Sequence, residues 1–230
     1  MKNWKNHWNT FPEHLDETCF LEQVGKAVNK KPISNEQFKE ILSSIKSSLS
    51  IIPDDDILDL CCGNGIITKA VAGCCRSIVG MDYSQSLVDI AVKYNSLENI
   101  RYVQGDVGKI SEHMKDKRFS RIYMYEALQY FKSKQLQKLL TDLKPLMSGR
   151  FALFIGSVPD KSRKWDFYNT INRKLSYIWR SIKNEEAIGT WWDKDFIADV
   201  CNKNGLKVNF IEQDKKLHTA HYRFDAYIYD

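Results

Sequence analysis

The 230-residue sequence lacks a long apolar run and a cysteine pattern typical of a metal or redox site. None of its apolar stretches approaches the roughly 20 residues of a membrane-spanning helix, and the start, MKNWKNHWNT, lacks the apolar region of a secretory signal. The cysteines stand at positions 19, 61, 62, 74, 75 and 201, without a CxxC motif or a cysteine/histidine pair at zinc spacing. We therefore expect a cytoplasmic protein with reduced thiols and no metal.

The sequence also lacks the strong positive charge of many nucleic-acid-binding proteins, since its net charge is only +5. The excess is concentrated in one segment, between residues 160 and 183. Its basic residues are Lys161, Arg163, Lys164, Arg173, Lys174, Arg180 and Lys183, against Asp160 and Asp166. Two interpretations stay open, a solvated helical face and a lid over an anionic or polar substrate.

Short apolar strands alternate with amphipathic helices in the middle of the chain. Strands are predicted at ILDLC (57–61), SIVGMD (77–82), NIRYVQGD (99–106), RIYMYEAL (121–128) and RFALFIGS (150–157). Before them, the spacing of apolar residues predicts a helix over 35–49, capped by Ser34 or Asn35. LKVNFIEQ and YRFDAYIYD predict an antiparallel pair at the sheet edge. The expected fold class is α/β, with a mostly parallel seven-stranded sheet and helices on both faces.

Acidic residues follow the predicted strands where each strand ends. They are Asp59, Asp82, Asp106 and, next to Tyr125, Glu126. Ligands of open α/β sheets bind at the carboxyl ends of the strands, so these positions predict one site. Each acid alone has a structural explanation, since Asp82 can cap the helix that begins near Ser84 and Asp106 can end a strand in a turn. The set of four favours a binding site.

The turn CCGNG after the first strand partly matches a dinucleotide-binding fingerprint. Gly63-x-Gly65 precedes an acid at position 82, but Thr68 stands where the third glycine belongs. Asp59 would also repel a diphosphate. A nucleoside that carries an amino acid is different, because a carboxylate attracts its ammonium and sulfonium groups. The turn therefore favours a cationic nucleoside.

ILDLCCGNG, MDYS, QGD and RIYMYEAL, between residues 57 and 131, together resemble the successive cofactor motifs of class I S-adenosylmethionine-dependent methyltransferases. The resemblance implies a Rossmann-like fold, S-adenosyl-L-methionine as methyl donor and S-adenosyl-L-homocysteine as product. It places Asp59 at the methionine end, the turn from Cys61 to Gly65 against the cofactor, and Asp82 on the ribose hydroxyls. The other cofactor-binding residues that it implies are Tyr83, Asp106 and Val107 around the adenine, with Tyr125 and the glycines Gly63 and Gly65.

Cys61 departs from that resemblance, because the family commonly has glycine at this position. A small, apolar thiol can line the turn, provided that its residue avoids a positive φ. A redox pair or a metal site would instead want separated, exposed cysteines. The sequence therefore favours a packing role for Cys61.

Two residues are candidates for catalysis, Glu126 after the fourth strand and His221 before the last one. His218 and His221 lie in LHTAHYRF, in an edge loop that could face the site, and the alternative is that both are surface histidines. The chain has no NPPY-like tetrapeptide after the fourth strand and no Pro-Cys pair, which disfavours methylation of base amines or of cytosine carbon 5. No basic recognition module is evident, so we do not expect a nucleic-acid partner.

We predict one methyltransferase domain over 1–230, divided into an N-terminal arm and helix (1–50), a cofactor-binding half (51–157), a helical insert or lid (158–192), and a C-terminal helix with edge strands (193–230). The aromatic arm WKNHWNTF and the insert resemble the lids of small-molecule methyltransferases. They predict a small-molecule acceptor and O-methylation of a sugar, a glycan precursor or another secondary metabolite. The oligomeric state stays open.

Several alternatives remain for the insert and for the activity. The aromatic residues of the insert can form a second small core or a dimer contact, and a basic aromatic helix can also lie on a membrane surface without being required to do so. The basic insert could instead dock tRNA or a protein for methylation. A cofactor-binding protein without catalysis is the third function that the sequence allows.

Overall fold

A seven-stranded sheet forms the centre of the fold in the computed structural model, which describes residues 4–183 and 185–230. The strands are β1 Asp56–Leu60, β2 Ser77–Asp82, β3 Ile100–Gln104, β4 Arg121–Tyr125, β5 Ala152–Pro159, β6 Lys207–Glu212 and β7 Arg223–Tyr229. Their spatial order is β3-β2-β1-β4-β5-β7-β6. β1 to β5 run parallel, and β7 lies antiparallel between β5 and β6. The predicted fold class is confirmed.

Helices precede, connect and follow the strands. They are α1 Trp4–Thr10, α2 Phe20–Gln23, α3 Asn35–Leu49, α4 Ile66–Ala72, α5 Gln85–Tyr94, α6 Ile110–His113, α7 Ser133–Leu143, α8 Lys164–Phe167, α9 Ile171–Ile182 and α10 Lys194–Lys203. A short hairpin, Ala27–Val28 with Lys31–Pro32, separates α2 from α3.

Local sequence signals explain where α3 and α5 begin. The Ser34 side chain accepts a hydrogen bond from the amide of Gln37 and caps α3, and Ser84 accepts one from Leu87 and caps α5. Each cap satisfies an amide that has no partner within its own helix. The predicted bounds of α3 are thus confirmed.

The core lies on both faces of the sheet because successive strand residues point to opposite sides. Ile57 of β1 packs with α3 on one face, and Leu58 packs with α7 and α10 on the other. Helices therefore cover both faces, and the parallel strands all end at one edge. That edge brings the loops after β1, β2, β3 and β4 together.

The described residues contain no helix long and apolar enough to cross a membrane. They also contain no cluster of histidine, cysteine, aspartate and glutamate side chains that could hold a metal ion. All six cysteines are free, and Cys62 and Cys201 are buried.

Candidate functional site

A cavity of about 350 Å³ opens at the carboxyl edge of the sheet. Its walls come from the loops after β1 to β4, from α1 and from the segment that leads into β7. Among the predicted residues, those that line it are Cys61, Gly63, Asp82, Tyr83, Asp106, Val107, Tyr125 and Glu126. The structure thus brings together most of the predicted site.

The turn after β1 repeatedly needs a left-handed backbone. Cys61, Gly63 and Gly65 have φ of 59°, 57° and 76°. A Cβ on Gly63 would lie 2.7 Å from Val24 Cγ1, and a Cβ on Gly65 would lie 2.3 Å from the Tyr102 hydroxyl oxygen. Both glycines are therefore required for close packing. Gly65 does not line the cavity itself, and it shapes the turn that starts α4.

Cys61 does not meet the condition set for it, since its φ is positive. The residue takes a left-handed conformation, at a cost of about 1 kcal/mol or more. Its side chain lines the cavity and packs against the core. Burial, together with nearby carboxylates, raises the pKa of the Cys61 thiol well above its usual value, which suits packing and not redox chemistry.

Two further residues near the cavity share this strained conformation. Glu126, directly after β4, has a φ of 56°, and Ser157, near the end of β5, has a φ of 60°. With Cys61, non-glycine residues in left-handed conformation thus occur at the ends of three adjacent strands. Strain of this kind clusters at functional sites.

Asp82 ties two loops together while it lines the cavity. Its carboxylate accepts hydrogen bonds from the amides of Gly63 and Ser84, both at 2.9 Å. Burial raises the pKa of Asp82, and the backbone hydrogen bonds oppose that rise. Both interpretations made from the sequence hold in part, because the residue braces the start of α5 and also faces the cavity.

Asp59 lies behind the wall of the cavity and is not one of its lining residues. Its Oδ2 accepts hydrogen bonds from the Thr68 hydroxyl at 2.6 Å and the Tyr123 hydroxyl at 2.7 Å. Burial raises the pKa of Asp59 to about 7. Of the four carboxylates expected to converge, three therefore line the cavity, and the fourth, that of Asp59, lies beneath its wall.

The loop after β3 contributes Asp106 and Val107 to the same cavity. Asp106 accepts a hydrogen bond from the amide of Gly108 at 2.8 Å, so it also forms the turn that the sequence allowed. Val107 is buried and offers an apolar wall. Half-buried Tyr83 also lines the cavity and donates a hydrogen bond to the Trp4 carbonyl at 3.2 Å.

Helix α1 borders the cavity as predicted for the N-terminal arm, of which residues 1–3 lie outside the described residues. Trp4 and Trp8 line the cavity. The Ser84 hydroxyl donates a hydrogen bond to the Trp8 carbonyl at 3.0 Å and fixes the arm to α5.

None of the described residues of the insert, 158–183 and 185–192, lines the cavity, and its role as a lid stays a prediction. Its rings pack on one another, as in the contact of Tyr168 with Tyr177 at 4.6 Å between centroids. Phe167 and Trp191 also contact Tyr222, which does line the cavity. The alternative of a second small core matches this arrangement, because the rings bury their own faces.

Glu126 forms an ion pair that no sequence motif predicts. The Lys26 ammonium lies 2.5 Å from Glu126 Oε2 and 4.7 Å from the centroid of the Tyr125 ring. Burial alone would raise the pKa of Glu126, but the charges of Lys26 and Arg223 hold it below its usual value. Glu126 is therefore ionised at neutral pH and paired. Lys26 lies in an irregular segment, where no motif marks it.

The segment before β7 places His218, not His221, at the cavity. His218 is half-buried and lines the cavity, whereas His221 is exposed and does not. The orientation follows from packing, because Leu217 and Tyr222 are buried and the loop between them turns His221 outward. Burial lowers the pKa of His218, and the Glu126 charge opposes that change. The prediction of His221 as catalytic residue is thus not supported.

Arg223 is a further cavity residue that the sequence reasoning missed. It begins β7, is buried, and donates from Nη1 to the Ser157 carbonyl at 2.6 Å. The only sequence signal was the position of this arginine at the start of the apolar strand pattern in YRFDAYIYD. Arginine is seldom buried without a partner, so a buried arginine there indicates a functional role.

Comparisons with known proteins agree with this geometry. Residues 57–148 match a family described as a methyltransferase domain. The 23S rRNA (uracil(1939)-C(5))-methyltransferase of Psychromonas ingrahamii is 34% identical over 93 residues, which cover 39% of this chain and 19% of that protein. The chain thus matches only about a fifth of the length of that curated relative.

Solved structures share the fold over nearly the whole chain. The magnesium protoporphyrin IX methyltransferase of Synechocystis PCC 6803, with bound S-adenosylhomocysteine, aligns with a TM-score of 0.65 at 12% identity, covering 98% of this chain and 97% of that one. The N-methyltransferase NodS of Bradyrhizobium japonicum WM9, also with S-adenosylhomocysteine, aligns with a TM-score of 0.65 at 15% identity, covering 97% and 98%. The predicted family and cofactor are confirmed. Residues 57–148 match a methyltransferase domain, and the chain as a whole shares the fold of class I S-adenosylmethionine-dependent methyltransferases.

Proposed function

We propose that this enzyme methylates an oxygen atom of a small molecule, such as a sugar, a glycan precursor or another secondary metabolite. The observation that carries the proposal is a compact cavity with two chemically different sides. Asp82 and Asp106 lie at the ends of β2 and β3, while His218 and the Lys26–Glu126 ion pair lie toward β4 and β7. Helix α1 borders this cavity with two tryptophans, which favours a small acceptor over a macromolecule.

The residues of the β1 to β3 side fit S-adenosylmethionine by their chemistry. We assign the ribose hydroxyls to Asp82, the adenine to Asp106, Val107 and Tyr83, and the methionine end to the turn that begins at Cys61. Carboxylates accept hydrogen bonds from hydroxyl and amino groups and attract the cationic methionine end. When bound, the cofactor supplies an electrophilic methyl group on sulfur.

We assign the general base to His218. Its Nδ1 lies 3.1 Å from Gln37 Oε1, and the neutral tautomer that donates this hydrogen bond leaves Nε2 as the basic nitrogen. Since burial lowers the pKa of His218, the imidazole is neutral at pH 7 and can accept a proton from a hydroxyl. Glu126 is a weaker base because it is held ionised by Lys26, and its role is to position that side of the cavity.

Two measurements test this proposal. Incubation with methyl-labelled S-adenosylmethionine should label a component of a metabolite extract, and neither bulk tRNA nor bulk protein. Label in tRNA or protein would support docking through the basic insert instead, and cofactor binding without any labelled fraction would support a protein without catalysis.

Once an acceptor is found, His218→Gln should lower kcat by about 10²-fold to 10⁴-fold, the usual contribution of a general base. The rate of the unaltered enzyme should rise with pH through a pKa below 6.5 and then level, and the variant should lose that rise. His221→Gln, which changes an exposed histidine three residues away, is the matched control. Equal activity of both variants would exclude His218 as the base.

A further inference from the structure

The guanidinium of Arg223 is a buried charge that forms no direct ion pair with the described residues. Arg223 is 4% exposed and lines the cavity. Its Nη1 donates to the Ser157 carbonyl, but its Nε is buried without a hydrogen-bond partner among the described residues. None of the ion pairs formed by the described residues within 4.0 Å includes Arg223. A buried charge in this state is costly unless an anion compensates it.

The neighbouring charges are already engaged elsewhere. Lys26, equally buried, is neutralised by Glu126. Asp225 stands two residues after Arg223, but its Oδ1 accepts hydrogen bonds from the Ser157 amide at 2.7 Å and from Gln213 at 2.8 Å. The charges of Glu126 and Asp225 therefore act on Arg223 only from beyond ion-pair distance, and its Nε stays without a hydrogen-bond partner among the described residues.

A second polar atom in the cavity wall also lacks a partner. The side-chain oxygen of Gln129 is buried without a hydrogen bond among the described residues, and Gln129 lines the cavity. An amide oxygen accepts hydrogen bonds, whereas Arg223 only donates them. The two together suit a ligand that carries both an anionic group and a hydroxyl.

We propose that the acceptor carries a carboxylate or phosphate group that binds Arg223, an inference that rests on the proposed methylation of a small molecule. The backbone around Arg223 supports this assignment, because Ser157, whose carbonyl accepts from Arg223, is held at a φ of 60° in an irregular part of β5. Such strain is typical of residues that position a functional group. Tyr222, whose ring lies 5.1 Å from the guanidinium carbon, borders the same place.

The test uses the full chain saturated with S-adenosylhomocysteine and two probe anions, benzoate and inorganic phosphate, at matched ionic strength against chloride. Calorimetry should detect binding of at least one probe. We expect Arg223→Gln to weaken that binding at least tenfold, the value of a hydrogen bond to a charged group. Arg101→Gln, which changes an exposed arginine on β3, should leave it unchanged. The stronger probe identifies the anion as a carboxylate or as a phosphate.

Failure of this inference can be told apart from failure of the proposed function. If S-adenosylhomocysteine binds and neither probe binds better than chloride, the anion site is refuted. If S-adenosylhomocysteine itself does not bind, the cofactor assignment fails first. If Arg223→Gln does not fold, two other variants replace it. Arg223→Lys keeps the positive charge, and Arg223→Met removes it. If these two variants bind the probes equally well, the role of the charge is also refuted.

A separate observation concerns helix α9, whose apolar stripe points away from the protein. The stripe consists of Ile171, Leu175, Ile178, Trp179 and Ile182, which are between 50% and 77% exposed. Their spacing puts all five on one face of the helix. The helix contacts the insert mainly through half-buried Tyr177, on the opposite side.

Basic residues flank this stripe. Lys174 and Lys183 lie at its two borders by helical spacing, and the Lys183 ammonium lies 3.7 Å from the centroid of the Trp179 ring. An isologous contact between two copies would bring these like charges together. An anionic surface would attract them instead, with tryptophan at the polar boundary.

We infer that α9 is an interfacial helix that docks the enzyme on a bilayer with anionic headgroups. The full chain should float with vesicles of phosphatidylcholine and phosphatidylglycerol and much less with phosphatidylcholine alone. Ile178→Ser with Ile182→Ser should lower the partition coefficient at least tenfold, because both side chains leave water on docking. Val92→Ser with Leu97→Ser, at exposed apolar positions elsewhere on the surface, is the control.

Two results would overturn this inference. One is equal flotation of the two double variants, which would mean that the stripe does not contact lipid. The other is a dimer in vesicle-free solution that Ile178→Ser with Ile182→Ser converts to a monomer, measured by light scattering. That result would make a second copy of the chain the occupant of the stripe.

Discussion

The raised pKa of Asp59 predicts that cofactor affinity depends on pH. Burial raises this pKa to about 7 in the free protein, so the carboxyl is largely protonated at pH 6 and largely ionised at pH 8. The cationic methionine end of S-adenosylmethionine is attracted only by the ionised form. Binding should therefore release a proton from Asp59 near neutral pH.

The size of the effect follows from that pKa. If only the ionised form binds strongly, the affinity at pH 6 is about tenfold lower than at pH 8, and further acidification costs up to tenfold per pH unit. A tenfold change corresponds to about 1.4 kcal/mol of binding free energy. The Thr68 and Tyr123 hydroxyls donate hydrogen bonds to the ionised Asp59 carboxylate, so they oppose a further rise of its pKa.

Calorimetry at pH 6, 7 and 8, in buffers with different heats of ionisation, measures both the affinity and the proton release. Asp59→Asn should bind more weakly at pH 8 and lose most of the pH dependence. S-adenosylhomocysteine, which keeps the ammonium but not the sulfonium, shows which of the two cations the Asp59 charge attracts. An identical pH profile for Asp59→Asn and the unaltered protein would refute the placement of the methionine end near Asp59.

Three further substitutions have defined outcomes. Asp82→Ala should lower S-adenosylmethionine affinity about tenfold or more and also lower stability, because two buried amides lose their acceptor; unchanged affinity by calorimetry would refute the ribose assignment. Cys61→Gly removes about 1 kcal/mol of backbone strain, but glycine raises the conformational entropy of the unfolded chain by a similar free energy. The free energy of unfolding, measured with urea, should therefore change by less than about 1 kcal/mol. A decrease of more than about 2 kcal/mol would contradict the strain argument. Lys26→Met should cost about 3 kcal/mol by leaving Glu126 buried and unpaired, and adding Glu126→Gln should restore most of it; no restoration would mean that the pair is not coupled.

The parts of the fold that the sequence predicted well are those where local and tertiary preferences agree. The helix over 35–49 has a capping serine, an apolar stripe and no competing signal, and the structure has the same bounds. The fourth strand was predicted to reach residue 128 but ends at Tyr125. The apolar pattern continues there, but Glu126 takes a left-handed conformation that ends the strand. Such a conformation depends on long-range contacts that periodicity does not encode.

The candidate site was predictable to the extent that parallel topology dictates it. Because all parallel strands end at one edge, Asp82, Asp106 and Glu126 could be placed together from their positions after strands alone. The depth of Asp59 could not, since it depends on a hydroxyl of Tyr123 from the neighbouring strand. The choice between His218 and His221 also could not, because it depends on which side of a short loop is buried.

Lys26 and Arg223, which no motif marks, bring positive charge to the side of the cavity opposite Asp82 and Asp106, where Lys26 is paired with Glu126 and Arg223 forms no direct ion pair with the described residues. They lie far apart in sequence and meet only because the arm and β7 reach the same edge of the sheet. On the proposed assignments, a cationic donor belongs beside Asp82 and Asp106, and an anionic acceptor belongs beside Arg223. The reverse arrangement would set a sulfonium against a guanidinium and a carboxylate or phosphate against two acids. On these proposed assignments, the charges favour the cationic donor on one side of the cavity and the anionic acceptor on the other.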